Sequence, residues 1–567
     1  MAIILRTVKG TALTYQEADE NFSSLFYSAS YTDNNLALFY TASDFDPSPN
    51  PVNIPLPSGS KWTDVSGGAI RRASNVDITG SLTLSGSLYP LVVLGRVSQP
   101  SLGFSTYFGT GTGINDDLTS NYNTGFGQSV LNSTTTGYQN VGVGINALLS
   151  NTIGYGNLAV GVSTLQSNVN GYDNLAIGNS ALQQNVDSYR NLAIGHYSLY
   201  SIIGSGSSAL STSNNSNTAV GFASMMYRRT STFGSVAVGY NALAGSTNPT
   251  LNTGGYNVAV GLESQSKLQS GNYNTSIGHG ALLANTGGDT NIAIGGLSMY
   301  AASGSGNISI GFYTLGSGSV SNPMIIGNEN VAVGNYAAVR GLGNFNVAIG
   351  AQTLVSGSGV SNTVAVGYLS MLNTVDGARN TAVGNETLRY NVSGSRNTAV
   401  GYLALYANTA GYNTAVGDYA LQSNTTGYFN TAVGQGSLQQ TISGVKNTAI
   451  GVEALVNVTT GTTNTAIGFE AGKYATGDST NNVYVGFGAG PSSNTEEDNK
   501  LYIATGAGTL ITGDFAEGYV TIDDILQITP RSTTPASPAN GMIIVSGSGA
   551  DQQIYCYLNS AWKPLGN

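Results

Sequence analysis

Asn413-Thr-Ala-Val-Gly417-Asp-Tyr-Ala-Leu421-Gln-Ser-Asn424-Thr-Thr-Gly427-Tyr-Phe429 is followed at once by Asn430-Thr-Ala-Val-Gly434, the same phrase seventeen residues on. Variants of this phrase recur twenty-one times between Asn123 and Gly486. Twelve of the twenty spacings between the phrase-ending glycines are 17 residues, and three are 16. A fixed short period means a stack of equivalent coils, none of which has enough core to fold alone. The expected fold class is all-β: a repetitive parallel β-roll or solenoid that grows in one direction.

Each rung is numbered here from its terminal glycine as position 0. Position −1 is Val or Ile in twenty copies, with Phe126 the exception, and −2 is Ala, Ser or Gly in all but Tyr484. Position −4 is Asn in nineteen copies, with Ser235 and Thr363 as substitutes; +3 is almost always Ala, Ser or Thr, and +4 is Leu or Met in seventeen. Alternation at period two puts −3 and −1 on one strand face and −2 on the other. A β-branched residue suits a pleated, buried surface, which places −1 and −3 on the buried side. The small residue at −2 implies close approach on the opposite face, by the returning strand of a flattened roll or by a neighbouring subunit. Gly at 0 and at the second turn (Gly137, Gly154, Gly171, Gly427) suits corners with positive φ. Asn at −4 is placed to form a ladder between rungs or to bond its own turn. Two short strands per rung are expected. Two large apolar side chains per rung are too few to offset the ordering of seventeen residues. Several chains wrapped about a common axis are therefore expected.

Only 8 % of the 567 residues are charged, against roughly 25 % in ordinary soluble proteins. With 41 % hydrophobic residues held in strict register, this reads as ordered, turn-rich β structure and not as disorder. A net charge of −10 with 19 Lys and Arg offers no basic footprint for a phosphate backbone, so nucleic acid is not an expected partner. The single cysteine, Cys556, excludes an intrachain disulfide framework and a multi-cysteine zinc site, and reads as a small apolar residue of a C-terminal strand. No window approaches ~18 consecutive apolar residues, so no membrane insertion is expected. The start of the chain is too short and polar for a secretory segment, giving an expectation of assembly in a cytoplasm.

On these residues the repeat resembles the head repeats of YadA-like trimeric adhesins, in which a similar phrase builds a left-handed parallel β-roll. It is more similar still to the longer variant in phage and bacterial fibre proteins, seen here as Asn413-Thr-Ala-Val-Gly417 with Asn424-Thr-Thr-Gly-Tyr428. The resemblance covers 113–490 and implies an elongated homotrimer, a number that periodicity alone does not fix. Spacing departs from the family's at 195–221, 221–239, 239–261, 311–334 and 468–486, where insertions are expected to bulge as surface loops. One rung per ~4.8 Å strand step gives a shaft about 100 Å long.

The flanks complete a five-part organisation. Residues 1–60 form an N-terminal region with a short helix in 11–30, capped at Thr14, and a Pro- and Ser-rich linker over 43–61. Their opening resembles the start of phage fibre and other virion proteins, which implies attachment to the particle. Residues 61–112 read as an extended β-rich shaft segment, on the alternation from Val76 to Leu88. The repeats occupy 113–490, a post-repeat β segment 491–530, and 531–567 resemble a small β tip of phage fibres.

Candidate chemistry is sparse. His196 and His279 both sit at +1, several rungs apart, and cannot share a metal within one chain. Carboxylates such as Asp173, Asp187, Asp289 and Asp418 stand singly, without the pairing that flanks a glycosidic bond. Tyr138, Tyr155, Tyr172, Tyr189, Tyr273, Tyr412 and Tyr428 read as a rung-to-rung aromatic ladder before a sugar platform. Threonines at −3 (Thr218, Thr275, Thr381, Thr398, Thr414, Thr431) are set aside as an ice-binding row because that position, also accepting Leu, Val and Ile, is read as buried. Tyr555, Tyr557 and Trp562 are the receptor-contact candidates, with strand packing in the tip as their simpler role. The resemblance then implies a non-enzymatic structural fibre of a bacteriophage virion (tail, neck or head), with no cofactor and no metal. Its partners would be two copies of itself, other virion proteins through the N-terminal region, and a host cell-surface glycan or protein. The alternatives are a bacterial trimeric autotransporter passenger, disfavoured without signal or membrane-barrel segments, and a polysaccharide-degrading tailspike, disfavoured by the thin coil.

Overall fold

The computed structural model describes 104–523 apart from 118, 202–215, 228–232, 247–252, 302–303, 341, 358 and 507, with only backbone strands inside 317–325; it also describes 538–546 and 553–564. Of residues 1–103 it describes the backbone of six short strands. The chain divides into two compact units, Met1–Gln99 and Pro100–Asn567. Among the described residues every regular element is a strand, and no helix is long and apolar enough to cross a membrane.

In the first unit, Leu13–Thr14, Ser28–Thr32, Asn35–Ala42 and Asp46–Pro55 pair antiparallel in sequence order, and Trp62–Val65 pairs with Ala69–Arg72. This corrects two expectations. Thr14 is not a helix cap but a strand residue opposite Ser28, because Thr, Ser and Tyr favour extended backbone once a partner strand is present. The middle of the expected helix lies outside the described residues. Much of the expected linker is the ten-residue strand Asp46–Pro55. Its prolines are tolerated there because it is an edge strand, where one side of the backbone needs no partner. The alternating segment from Val76 to Leu88 lies outside the described residues.

The second unit is a parallel β-solenoid. From Thr106–Phe108 to Val483–Val485 each rung contributes one short strand, hydrogen-bonded in register to the rungs before and after it. Ala176 thus lies opposite Ala159 and Ala193. Insertions leave this ladder intact: Leu192–Ile194 pairs directly with Thr218–Val220, and Ile308–Ile310 with Val331–Val333. The 311–334 insertion carries a small antiparallel pair, Gly318–Ser319 with Asn322–Pro323. The sequence reading missed the first rung, whose Gly109 precedes Gly127 by 18 residues and carries a similar positive φ, 126° against 133°. At the far end, Lys500–Ala504 joins in parallel, then the chain reverses into Thr509–Asp514 and Tyr519–Ile522. Ile543–Ser546, Gln553–Leu558 and Ala561–Pro564 form a separate three-stranded antiparallel sheet.

One strand per rung replaces the expected two. The return segment still bonds rung to rung, as in Leu165 N–H to Ala181 O and Leu182 N–H to Ser198 O, both 3.0 Å. It is not extended, because +2 and +4 both take positive φ: Ser180 56° and Leu182 51° in one rung, Ser163 55° and Leu165 50° in another. That conformation is a severe outlier for β-branched side chains. It explains why +2 and +4 hold no Val, Ile or Thr in any of the twenty-one copies, while Leu at +4, branched at Cγ and not at Cβ, fills the interior.

Candidate functional site

The coil interior fixes what is left outside. Ala at −2 is fully buried in rung after rung (Ala176, Ala193, Ala415, Ala432), stacked beside the buried Leu at +4. What approaches −2 so closely is +3 of the preceding rung in the same chain, the returning segment of the roll. Ser298 donates to Ser309 at 2.7 Å across this gap, and Ser264 and Ser276 pair in the same way. Where +3 is the larger Val130, −2 of the next rung is Gly142, whose added Cβ would lie 2.4 Å from the valine.

It follows that −1 and −3 face outward, the reverse of the sequence expectation. Period two separates the two faces without saying which is inward, and a coil this thin has room only for the small one. Ile467 is 44 % and Val416 37 % exposed, and the same row runs through Val143, Ile177, Ile277, Ile349 and Val383. Beside it, at −3, stand six successive threonines, Thr381, Thr398, Thr414, Thr431, Thr448 and Thr465, all partly exposed. The ground on which an ice-binding row was set aside, burial of −3, therefore fails in the single chain.

Asn at −4 forms a buried ladder, one of the two expected arrangements. Asn157 N–H and Nδ2 both donate to Asn140 Oδ1 at 3.0 Å, and Asn157 Nδ2 also reaches Gly171 O at 2.8 Å. Ser235 and Thr363 continue it through their hydroxyls, which accept from Asn257 N–H (3.1 Å) and Asn380 N–H (3.4 Å). The second-turn glycines answer to crowding by a second buried Asn row, at +7, and not to positive φ. A Cβ on Gly427 would lie 2.3 Å from Asn424 Oδ1, and one on Gly171 2.2 Å from Asn168 Oδ1.

The corner just before the ladder carries aromatic rings. Tyr138, Tyr155, Tyr172 and Tyr189 stack in turn at 4.8, 4.8 and 4.5 Å, within 8° of parallel, and Tyr256 stacks on Tyr273. Their faces are used on one another, so the ladder offers solvent only edges and hydroxyls. At Tyr412, Tyr428 and Phe429 the rings instead splay, by 42° and 68°. His196 packs on Tyr197 at 4.1 Å, far from His279, and no metal-binding cluster occurs among the described residues.

Both ends of the solenoid depart from the rule at −2 in the same way. Tyr107 and Tyr484 replace the small residue, and glycine replaces leucine at the neighbouring +4 positions Gly113 and Gly472. A Cβ there would meet the tyrosine rings at 2.5 and 2.8 Å. Each hydroxyl donates to a carboxylate, Tyr107 to Asp116 and Tyr484 to Glu497, which also accepts from Tyr502. Burial and the facing carboxylate push both tyrosine hydroxyls well above their ordinary range. These are plugs that close the open ends of a thin core. Lys500 and Asp514 form an ion pair beyond the second plug.

In the terminal sheet Tyr557 lies opposite Trp562, with ring centroids 5.2 Å apart, and strand alternation puts Tyr555 on the same face. Cys556 points to the other face and is buried. The three receptor candidates are thus brought together, partly exposed. No protein-family model matches the chain, and neither the curated proteins nor the solved structures contain a detectable match.

Proposed function

We propose that this chain is a non-enzymatic structural fibre of a bacteriophage particle, working as a homotrimer whose residues 1–60 attach to the virion. The observation that carries this reading is the outward row of Val and Ile at −1, flanked by the row at −3. A continuous apolar row along the whole stack exceeds what single soluble chains usually leave uncovered. A partner that follows the row over some twenty rungs must repeat with the same strand step, and an identical chain in parallel does so. Wrapping about a common axis then supplies the second buried face that one coil lacks. The plugs, which close the coil at both ends, and the Asn ladder, which ties rung to rung, support the reading as a structural shaft. The terminal sheet with Tyr555, Tyr557 and Trp562 is the part proposed to meet the host surface.

Two measurements test the reading. Sedimentation equilibrium of the full chain should give three times the chain mass; a single-chain mass rejects the trimer. Antibody labelling of intact particles should decorate projections from tail, neck or head, and label confined to cell extract rejects the virion location.

A further inference from the structure

The rung from Gly401 to Gly417 is one of the sixteen-residue copies. Its corner reads Asn408-Thr-Ala-Gly-Tyr-Asn413, whereas the rung before reads Asn391-Val-Ser-Gly-Ser-Arg-Asn397 and the rung after Asn424-Thr-Thr-Gly-Tyr-Phe-Asn430. At this shortened corner lies an open surface notch of about 380 Å³, lined by Ser393, Ser395, Thr409, Tyr412, Tyr428 and Phe429.

The corner hydrogen bonds break at the same place. Val375 and Asp376 N–H both donate to Val392 O, at 2.9 and 3.1 Å, and Thr425 and Thr426 N–H both donate to Ile442 O, at 2.9 and 3.1 Å. The equivalent N–H groups of Val392 and Ser393, facing the shortened corner, donate to no backbone carbonyl among the described residues. Ring stacking breaks there too. Tyr412, Tyr428 and Phe429 are splayed and 44–49 % exposed, so Tyr428 and Phe429 leave ring faces free where the N-terminal ladder leaves only edges. Arg396 holds Tyr412 in place, its guanidinium 5.1 Å from the ring centroid and bonded to the tyrosine hydroxyl. With that cation engaged, the notch offers the rings of Tyr428 and Phe429, the hydroxyl and N–H of Ser393, and the Thr409 hydroxyl, which donates to Thr425 O at 2.8 Å and keeps its lone pairs for a ligand.

A pyranose has the complementary surface: an apolar C–H face bounded by hydroxyls that donate and accept. We propose that this notch is a saccharide-binding subsite, taking one or two pyranose rings against Tyr428 and Phe429, with hydroxyls bonded to the Ser393 and Thr409 side. It occupies positions −8 to −5, separate from the strand face at −3 and −1 on which the trimer depends. The site goes beyond the fibre reading, which needs no ligand at this corner, and its test is independent of assembly and of location.

The test is saturation-transfer NMR on the full chain with the methyl glycosides of glucose, galactose, mannose, rhamnose, N-acetylglucosamine and N-acetylgalactosamine. At least one glycoside should receive saturation, strongest on the ring protons of a single face. The double variant Tyr428→Ala/Phe429→Ala should weaken binding about tenfold. Inserting one serine between Thr409 and Ala410 restores the seventeen-residue period and should abolish binding while leaving the circular dichroism unchanged. Tyr155→Ala, in the stacked ladder, should bind as the unmodified chain does. The proposal is overturned if none of the six glycosides receives saturation, or if the serine-inserted chain and the double variant both bind as the unmodified chain does.

Discussion

Asn430 shows how much one residue carries in this fold. Its Nδ2 donates to Gly444 O at 2.7 Å, and its Oδ1 accepts from Asn447 N–H at 3.0 Å in a buried setting. Asn430→Ala leaves Gly444 O and Asn447 N–H without these partners, which costs about 2–6 kcal/mol at ~1–3 kcal/mol for each buried group. Asn430→Ser should cost less, since Ser235 and Thr363 occupy the same position naturally. Hydrogen exchange of the flanking rungs should therefore rise steeply in the alanine variant and modestly in the serine variant. Equal rises would mean that the ladder adds little. Gly434→Ala is the harsher change: φ is +129°, and the new Cβ would sit 2.4 Å from Gly451 O. Soluble expression should fall sharply, with the rungs on either side of 434 the first to be cleaved by protease. At this scale the sequence showed the Asn ladder and the glycine corners, because both recur at fixed positions. It did not show the reason for Gly427, since a clash with Asn424 from the same turn is a distance and not a pattern.

At the scale of elements, the period made the stack of parallel rungs legible, but the direction in which each strand faces was not. Alternation of Thr431, Ala432 and Val433 is the same string whichever side is the core. What decides is contact between adjacent rungs, where Val130 at +3 leaves room only for Gly142 and Ser264 and Ser298 bond Ser276 and Ser309 at −2, a pairing that single-phrase reading overlooks. Tyr484 stood out as the one exception at −2, yet its meaning required Gly472 and Gly490 to be seen around it. The Tyr484→Ala change should empty the plug and cost about 3–5 kcal/mol, as for other buried aromatics. Exchange should rise across 465–503 while 141–195 stays protected; a uniform change along the solenoid would contradict a local plug. Alkali probes the same element. Burial and then Glu497 raise the Tyr484 hydroxyl above its unfolded value of about 10. A raised acid contributes its full stability below pH ~10 and loses it as pH climbs from there towards the folded value. The C-terminal rungs should therefore open above pH ~10, and Tyr484→Phe, which has no proton to lose, should delay that opening. Amide exchange at 465–503 between pH 9 and 11 reads this directly, and identical profiles for the two chains would rule it out.

For the molecule as a whole, the outward row decides between a chain that is complete alone and one that needs copies of itself. Val383 and Val416 are each 37 % exposed in the single chain, so an aspartate at either site meets water and costs the coil little. Between packed chains the same carboxylates would be brought together and desolvated, at several kcal/mol each. The double change Val383→Asp/Val416→Asp therefore separates folding from assembly. Circular dichroism should remain that of the unmodified chain, while sedimentation equilibrium should fall from the trimer mass to that of one chain. Placing the charges instead at Ala382 and Ala415, which are fully buried inside the coil, should abolish folding itself. If the valine variants still assemble, the row is not the interface, and the consecutive threonines from Thr381 to Thr465 beside it become a free, regularly spaced surface. In that case they regain the standing as an exposed array that burial of −3 had been taken to deny them.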